Sequence, residues 1–269
     1  MEYYLLFCNK GDQLINNLHI ALNKRGINSI IITDIDLALA KKWIHKCNSD
    51  GVFQTEIYFN NGFVLRPEEV KGIMNRIKFI RLPQFQHSKD KTYAEMEILA
   101  LFISFLESMK SKLLFPFRVE NFVAKGNDNF NYFVWASQVG LSILDFMFSS
   151  SPKWQHRNDW PRSPIFIDDI NNLGNLIATP IIMEEPVIFR ESFKMTQIVT
   201  LYKGVATTNK IVELNFHSEY LKFYEVSSEG IIQLFWGKTK FGWKLFDFNS
   251  FPKILNENDI QKLIDSSFL

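Results

Sequence analysis

Two rhythms of apolar and polar residues run through the front of this chain. Residues 3–8 (YYLLFC) form an unbroken apolar, β-favouring run closed by Asn9, Lys10 and Gly11, and predict a buried strand. Asp12 then stands where a helix cap is needed, and Leu14, Ile15, Leu18 and Leu22 share one helical face. Gly26 stops that helix, and residues 29–33 (SIIIT) predict a second strand. A strand, helix and strand in succession imply parallel neighbours joined by a right-handed crossover.

Residues 53–59 and 63–66 flank Asn60-Asn61-Gly62 and read as a hairpin; Pro67 is expected to open a short helix through Ile77. Residues 89–109 are a long amphipathic helix by the spacing of Tyr93, Met96, Leu99, Phe102, Ile103 and Leu106. Residues 129–139 predict a further helix ended by Gly140, and residues 141–146 a short strand.

From Ser149 the texture changes. Serines and prolines through Pro164 mark a turn-rich stretch, and the expected organisation is two parts, 1–148 and 149–269. The second part reads mainly as strands, at 164–167, 179–189, 196–202, 210–214, 221–226, 231–236 and 243–248, with a turn at Ser228-Glu229-Gly230 and a closing helix at 258–266. The fold class is therefore α/β: a Rossmann-like front layer, then a mostly antiparallel β-rich part with a terminal helix.

Composition narrows function by exclusion. The 269 residues carry 30 Lys plus Arg against 29 Asp plus Glu, so no long phosphate-tracking surface, and no nucleic-acid partner, is expected. The longest apolar stretch lies far below the ~20 residues a bilayer requires, and no signal peptide is legible at MEYYLLFCNK, so a cytoplasmic protein without a membrane partner is expected. Cys8 and Cys47 form no CxxC, the five histidines form no HExxH, and GxGxxG, GxSxG and GxxxxGK[ST] are all missing. The 26 phenylalanines point to a large core or an apolar contact surface.

Polar residues at predicted element ends carry the remaining signal. Arg66, Asn75, Arg76, Arg118 and Asn121 stand where sites in open α/β folds are built, and guanidinium groups clamp carboxylates and phosphates in two-point fashion. They are the expected ligand-binding residues, for a small anionic or peptidic ligand. Asp247 and Asn249 project from one face of a strand and are the expected metal pair, since magnesium prefers hard oxygen ligands. The aromatic run Phe235, Trp236, Phe241, Trp243, Phe246, Phe248 and Phe251, with Trp154 and Trp160, offers a surface for a protein partner or, by its alternation, a half-buried sheet.

The opening strand–helix–strand, FQTEIYFNNGFVLRPEEVKGIMNRI, KTYAEMEILALFISFL and FRVENFVAKGNDNFNYFVWASQVGLSIL together resemble the front of the ATP-grasp ligases. The likeness covers residues 1–148 and is nearest to the branch of ribosomal-protein glutamate ligases and microviridin-type peptide-maturation ligases. Asp247-x-Asn249 is similar to that family's magnesium-binding acidic-x-Asn element. The family's paired phosphate-holding lysines and glycine-rich flap have no counterpart between Leu144 and Thr179. The resemblance thus implies a reduced relative in a biosynthetic or peptide-modifying pathway, without the standard ATP site. The alternatives are a minimal ATP- and magnesium-dependent carboxylate–amine ligase and a non-catalytic scaffold.

Overall fold

A computed structural model describes residues 2–50, 53–82, 88–115, 129–144, 146–149, 166–169, 187–190, 196–203, 205–208, 217–227, 230–249, 252–253 and 255–269. The chain divides into two compact units: Met1–Ala124 with Pro252–Leu269, and Lys125–Phe251. In chain order the first carries β1 (Tyr3–Cys8), α1 (Gln13–Lys24), β2 (Ser29–Thr33), α2 (Asp34–Ala38), β3 (Lys42–Cys47), β4 (Phe53–Tyr58), β5 (Val64–Leu65), β6 (Val70–Asn75) and α3 (Ser88–Ser108). The second carries α4 (Asn129–Gln138), β7 (Phe146–Ser149), β8 (Phe166–Asp169), β9 (Val187–Arg190), β10 (Thr196–Tyr202), β11 (Val205–Thr208), α5 (His217–Ser227), β12 (Ile231–Thr239) and β13 (Gly242–Asn249). The last helix, α6 (Glu257–Ser267), returns to the first unit.

The first unit is built on a parallel sheet of order β2-β1-β6. All six residues of β1 are buried, as a strand covered on both faces must be. On one face Leu5 and Phe7 pack with Ile73, Ile57, Leu65, Phe102, Phe105 and Leu106; the Phe7 ring meets Phe102 edge-on at 5.1 Å. On the other, the Tyr4 hydroxyl donates to the Phe268 carbonyl at 2.8 Å and the two rings sit 5.0 Å apart. Asp12 caps α1 by accepting the Ile15 N–H at 3.2 Å, and Thr33 with Asp36 makes a capping box on α2. His45 ties the β3–β4 hairpin to α3: Nδ1 lies 2.7 Å from Thr55 Oγ1 and Nε2 lies 2.8 Å from Ser104 Oγ.

The second unit holds an antiparallel sheet of order β11-β10-β12-β13 and a smaller antiparallel sheet of order β7-β9-β8. On one face of the larger sheet, Val199, Leu201, Ile232, Leu234, Trp236, Leu245 and Phe248 pack against Tyr132, Phe133 and Ala136 of α4 and Tyr220, Phe223 and Tyr224 of α5. A bulge in the β12–β13 ladder falls between Phe235 and Trp236, where Phe235 pairs with Asp247 and Trp236 with Leu245.

The expected α/β class, front parallel layer, antiparallel second part and terminal helix are all present. Several local expectations are corrected. The expected helix over 67–77 is a 3-10 turn, Pro67–Glu69, followed by strand β6. Pairing with β1 decides this, and Gly72 permits it: a Cβ there would meet the Tyr4 ring at 2.9 Å. The expected strand over 221–226 lies inside α5, where Tyr220, Phe223, Tyr224 and Ser227 are buried at helical spacing. The expected strand over 141–146 reduces to one bridge, Ile143 to Leu245, before β7. Ser228 and Glu229 of the expected turn and the expected strand over 210–214 lie outside the described residues.

Candidate functional site

The carboxyl ends of the parallel strands β1, β2 and β6 lie along one edge of the front sheet. The connection through α1 carries the chain from β1 to β2 on one side, and β6 lies on the other, so the crevice falls at the β1/β6 switch point. There Arg76 is 6% exposed, its Nε donates to Asp12 Oδ2 at 2.8 Å, and its Nη2 donates to the Pro252 carbonyl at 2.8 Å. Burial pulls the Arg76 guanidinium below its ordinary range, opposed by Asp12 alongside. A guanidinium stays charged through any ordinary pH, so the pair is a buried ionic latch. Asn75 Oδ1 accepts the Ile77 N–H at 3.1 Å, Asn9 Nδ2 donates to the Phe79 carbonyl at 2.9 Å, and Asp34 accepts the Lys10 N–H at 2.7 Å. These polar groups hold the chain's own turns.

Arg66 lies elsewhere. It precedes the 3-10 turn that leads into the amino end of β6, whereas Arg76 follows the carboxyl end. A six-residue strand separates them by about 20 Å. The structure therefore does not bring Arg66 and Arg76 together. Arg118 and Asn121 lie outside the described residues. A pocket of about 270 Å³ opens beside β2 and α2, lined by Ile30, Ile32, Ile35, Leu39, Phe59 and Phe63 among others. Its Asn60 donates to the Leu39 carbonyl and its Asn61 accepts the Phe63 N–H, so its lining is chiefly apolar and unsuited to an anion.

The second unit gives a different picture. On the sheet face opposite α4 and α5, cross-strand register sets Thr207 against Thr200, Thr200 against Gln233, and Gln233 against Asn249. Directly paired residues share a face, so four strands contribute one polar row, about 14 Å long at ordinary strand spacing. Asp247 stands on the same face two residues from Asn249, opposite Phe235. Thr200 and Thr207 are buried and Gln233 and Asn249 half-buried; Asp247 is 6% exposed and its Oδ1 accepts the Phe248 N–H at 2.9 Å. The sequence reading found Asp247 and Asn249 but missed Gln233, Thr200 and Thr207. Gln233 and Thr200 had a signal, each being the polar member of an apolar run, IIQLFW or IVTLY.

This row offers hydroxyl and amide groups and a single carboxylate. Among the described residues no group of three His, Cys, Asp or Glu could hold a metal ion. Magnesium is held through one or two carboxylates with waters and substrate phosphates, and this row presents one carboxylate, Asp247, beside the Asn249 amide. Among the described residues no helix is long and apolar enough to cross a membrane.

Solved structures that share this fold at low sequence identity include ATP-grasp ligases. The macrocyclase MdnB of Microcystis aeruginosa MRC superposes with a TM-score of 0.70 at 14% identity, over 93% of this chain and 92% of that one. An ATP-grasp ligase associated with ribosomally made peptides from Chryseobacterium gregarium, in complex with ADP and a leader and core peptide, gives 0.67 at 14% identity, over 98% and 95%. D-alanyl-alanine synthetase A of Vibrio cholerae gives 0.54 at 11% identity, over 99% and 93%. No protein-family model matches the sequence, and comparison with curated proteins finds no match.

Proposed function

We propose that this protein works in a peptide-modification pathway, binding an anionic or peptidic ligand on an ATP-grasp fold that lacks the standard ATP site. The observation that carries the reading is the polar row of the second sheet, hydroxyls and amides with one carboxylate among the described residues, on a fold shared nearly end to end with a peptide macrocyclase and a ligase solved with a leader and core peptide. Hydroxyls and amides on a sheet face suit the amide and carboxylate groups of a peptide. In this reading Gln233, Asn249 and Asp247 of the second unit meet the ligand's polar groups, and Arg76 serves the fold through Asp12. The intact protein is titrated calorimetrically with ATP plus magnesium and with a glutamate-rich peptide. Heat with the peptide and a flat ATP titration is the expected result.

A second reading has its own support. The alignments run over nearly the whole of neighbours that include a ligase solved with ADP, so the chain is of comparable length. In that reading the protein is an ATP-dependent carboxylate–amine ligase: a substrate carboxylate takes the γ-phosphoryl of ATP, and an amine then displaces phosphate from the acyl phosphate. Asp247 and Asn249 would be the magnesium-facing residues. Saturable heat with ATP and magnesium, lost in Asp247→Asn, would establish it and overturn the first reading.

A further inference from the structure

The tip of the β12–β13 hairpin has no part in the polar row, and its chemistry is distinct. From Gly230 to Phe246 the chain carries Lys238, Lys240 and Lys244 and no Asp or Glu, in a protein whose net charge is only +1. At the apex Phe241 is 73% exposed, more than any other described large hydrophobic residue except the terminal Leu269. Lys240 and Lys244 reach its ring at 4.8 Å and 5.8 Å, and Lys238 reaches the ring of Trp243 at 6.0 Å. Lys238 and Lys240 make no ion pair among the described residues.

The turn fixes this display. Thr239 pairs with Gly242 across the loop residues Lys240 and Phe241, and Gly242 takes φ +110°. Neither loop residue has a positive φ, so a right-handed turn is closed by a glycine in the conformation that only glycine adopts freely. Thr239 Oγ1 accepts the Phe241 N–H at 3.1 Å and donates to the Gly242 carbonyl at 3.2 Å. Phe241 is thereby held pointing outward.

The edge beside the tip selects the partner. Among the described residues β13 is the outermost strand of its sheet, bridged on its outer edge at Leu245 by Ile143. Its Leu245 N–H and C=O bond outward, to Ser142 O and Leu144 N at 2.7 Å each. By ladder alternation the backbone groups of Trp243, two residues nearer the tip, face the same edge. An outward-facing backbone pair matches another extended chain, which a lipid surface does not offer.

We propose that the hairpin tip is a docking site for an extended acidic peptide segment, its backbone along the Gly242–Lys244 edge of β13, its carboxylates on Lys238, Lys240 and Lys244, and an apolar or aromatic side chain on Phe241. This deepens the peptide-ligand reading above and rests on it. The test uses the intact protein and two fluorescein-labelled synthetic peptides, one alternating Glu and Phe, the other with Gln for Glu, followed by anisotropy. The Glu peptide binds, more weakly as salt rises, and the Gln peptide binds at least about tenfold less tightly. K238Q/K240Q/K244Q lowers affinity by about tenfold or more, and Phe241→Ser by several-fold, with unchanged circular dichroism. Undiminished binding by the triple variant overturns the tip and leaves the peptide-ligand reading standing. No binding of either peptide by the unaltered protein removes both. Lysine-dependent capture by phosphatidylserine vesicles, without peptide binding, assigns the tip to a membrane surface and overturns the proposal.

Discussion

Arg76 shows how a residue chosen for ligand chemistry is claimed by the fold. Its guanidinium is nearly inaccessible and meets Asp12 and the Pro252 carbonyl at 2.8 Å each. Removing one member of a buried pair leaves the other charge uncompensated, at about 3–5 kcal/mol. Arg76→Ala is therefore expected to lower urea-unfolding stability by that order. Asp12→Ala should do so too, since it also removes the cap of α1. The double variant should lose less than the sum, and strict additivity in the cycle would show the latch to be worth little. The two cysteines make an independent residue-scale test. Burial first, then the carboxylates of Asp12 and Asp34, pushes the Cys8 thiol up to about 12. Cys47 is exposed. A thiol-specific disulfide reagent should titrate one cysteine in the native protein, mapped to Cys47, and both after denaturation. The sign for stability follows. A thiol raised above its unfolded value of 9.0 to about 12 contributes stability that is whole below the unfolded value and lost as pH rises through the folded one. Modification of native Cys8 at neutral pH would contradict the burial on which this rests.

At the scale of elements, local signals that agreed with their surroundings were legible and those overridden by distant neighbours were not. The β1 run YYLLFC and the Asp12 cap could be read because composition, period and stop signals coincide there. The strand Val70–Asn75 could not, because its pairing with β1 is decided by residues far away in sequence. Helix α5 was hidden by its aromatics, whose β-preference masked a helical spacing. The same holds for the candidate site: Asp247 and Asn249 are two apart on one strand, while Gln233, Thr200 and Thr207 join them only through register. The β3–β4 hairpin yields its own prediction through His45, between Thr55 and Ser104 and stacked on Phe53 at 5.0 Å. Burial holds its imidazole below the ordinary 6.5. A base with a depressed folded value contributes stability present above its unfolded value and lost as pH falls through the folded one. Stability should therefore fall below pH ~6.5 more steeply in the native protein than in His45→Gln. Hydrogen exchange should open first in β3 and β4. Identical pH profiles for the two proteins would sink this.

For the whole molecule, the most consequential feature is that the first unit is made from both ends of the chain. Residues up to 124 and residues from 252 onward share one compact body, so the second unit is an insertion in its sequence. Helix α6 is capped by Asn256, whose side chain accepts the Asp259 N–H at 2.8 Å, and it buries Ile260, Leu263 and Ile264. Its final residues lie against the start of the chain: Phe268 is 1% exposed, stacks edge-on with Tyr4 and accepts that residue's hydroxyl through its carbonyl. Arg25 at the end of α1 adds hydrogen bonds to Gln261 and Asp265. One face of the front sheet is thus covered by residues from the far end of the sequence, a contact of very high sequence separation. Phe268→Ala should cost about 3–5 kcal/mol by cavity formation beside Tyr4. In exchange mass spectrometry the loss of protection should appear in β1, α1 and α6, with β10, β12 and β13 of the second unit as internal reference. Tyr4→Phe removes only the hydroxyl bond and should lose about 1 kcal/mol. Phe268→Ala with unaltered protection in β1 would mean that the closing helix adds nothing to the front sheet, and the two-ended construction would be a matter of chain route without energetic weight.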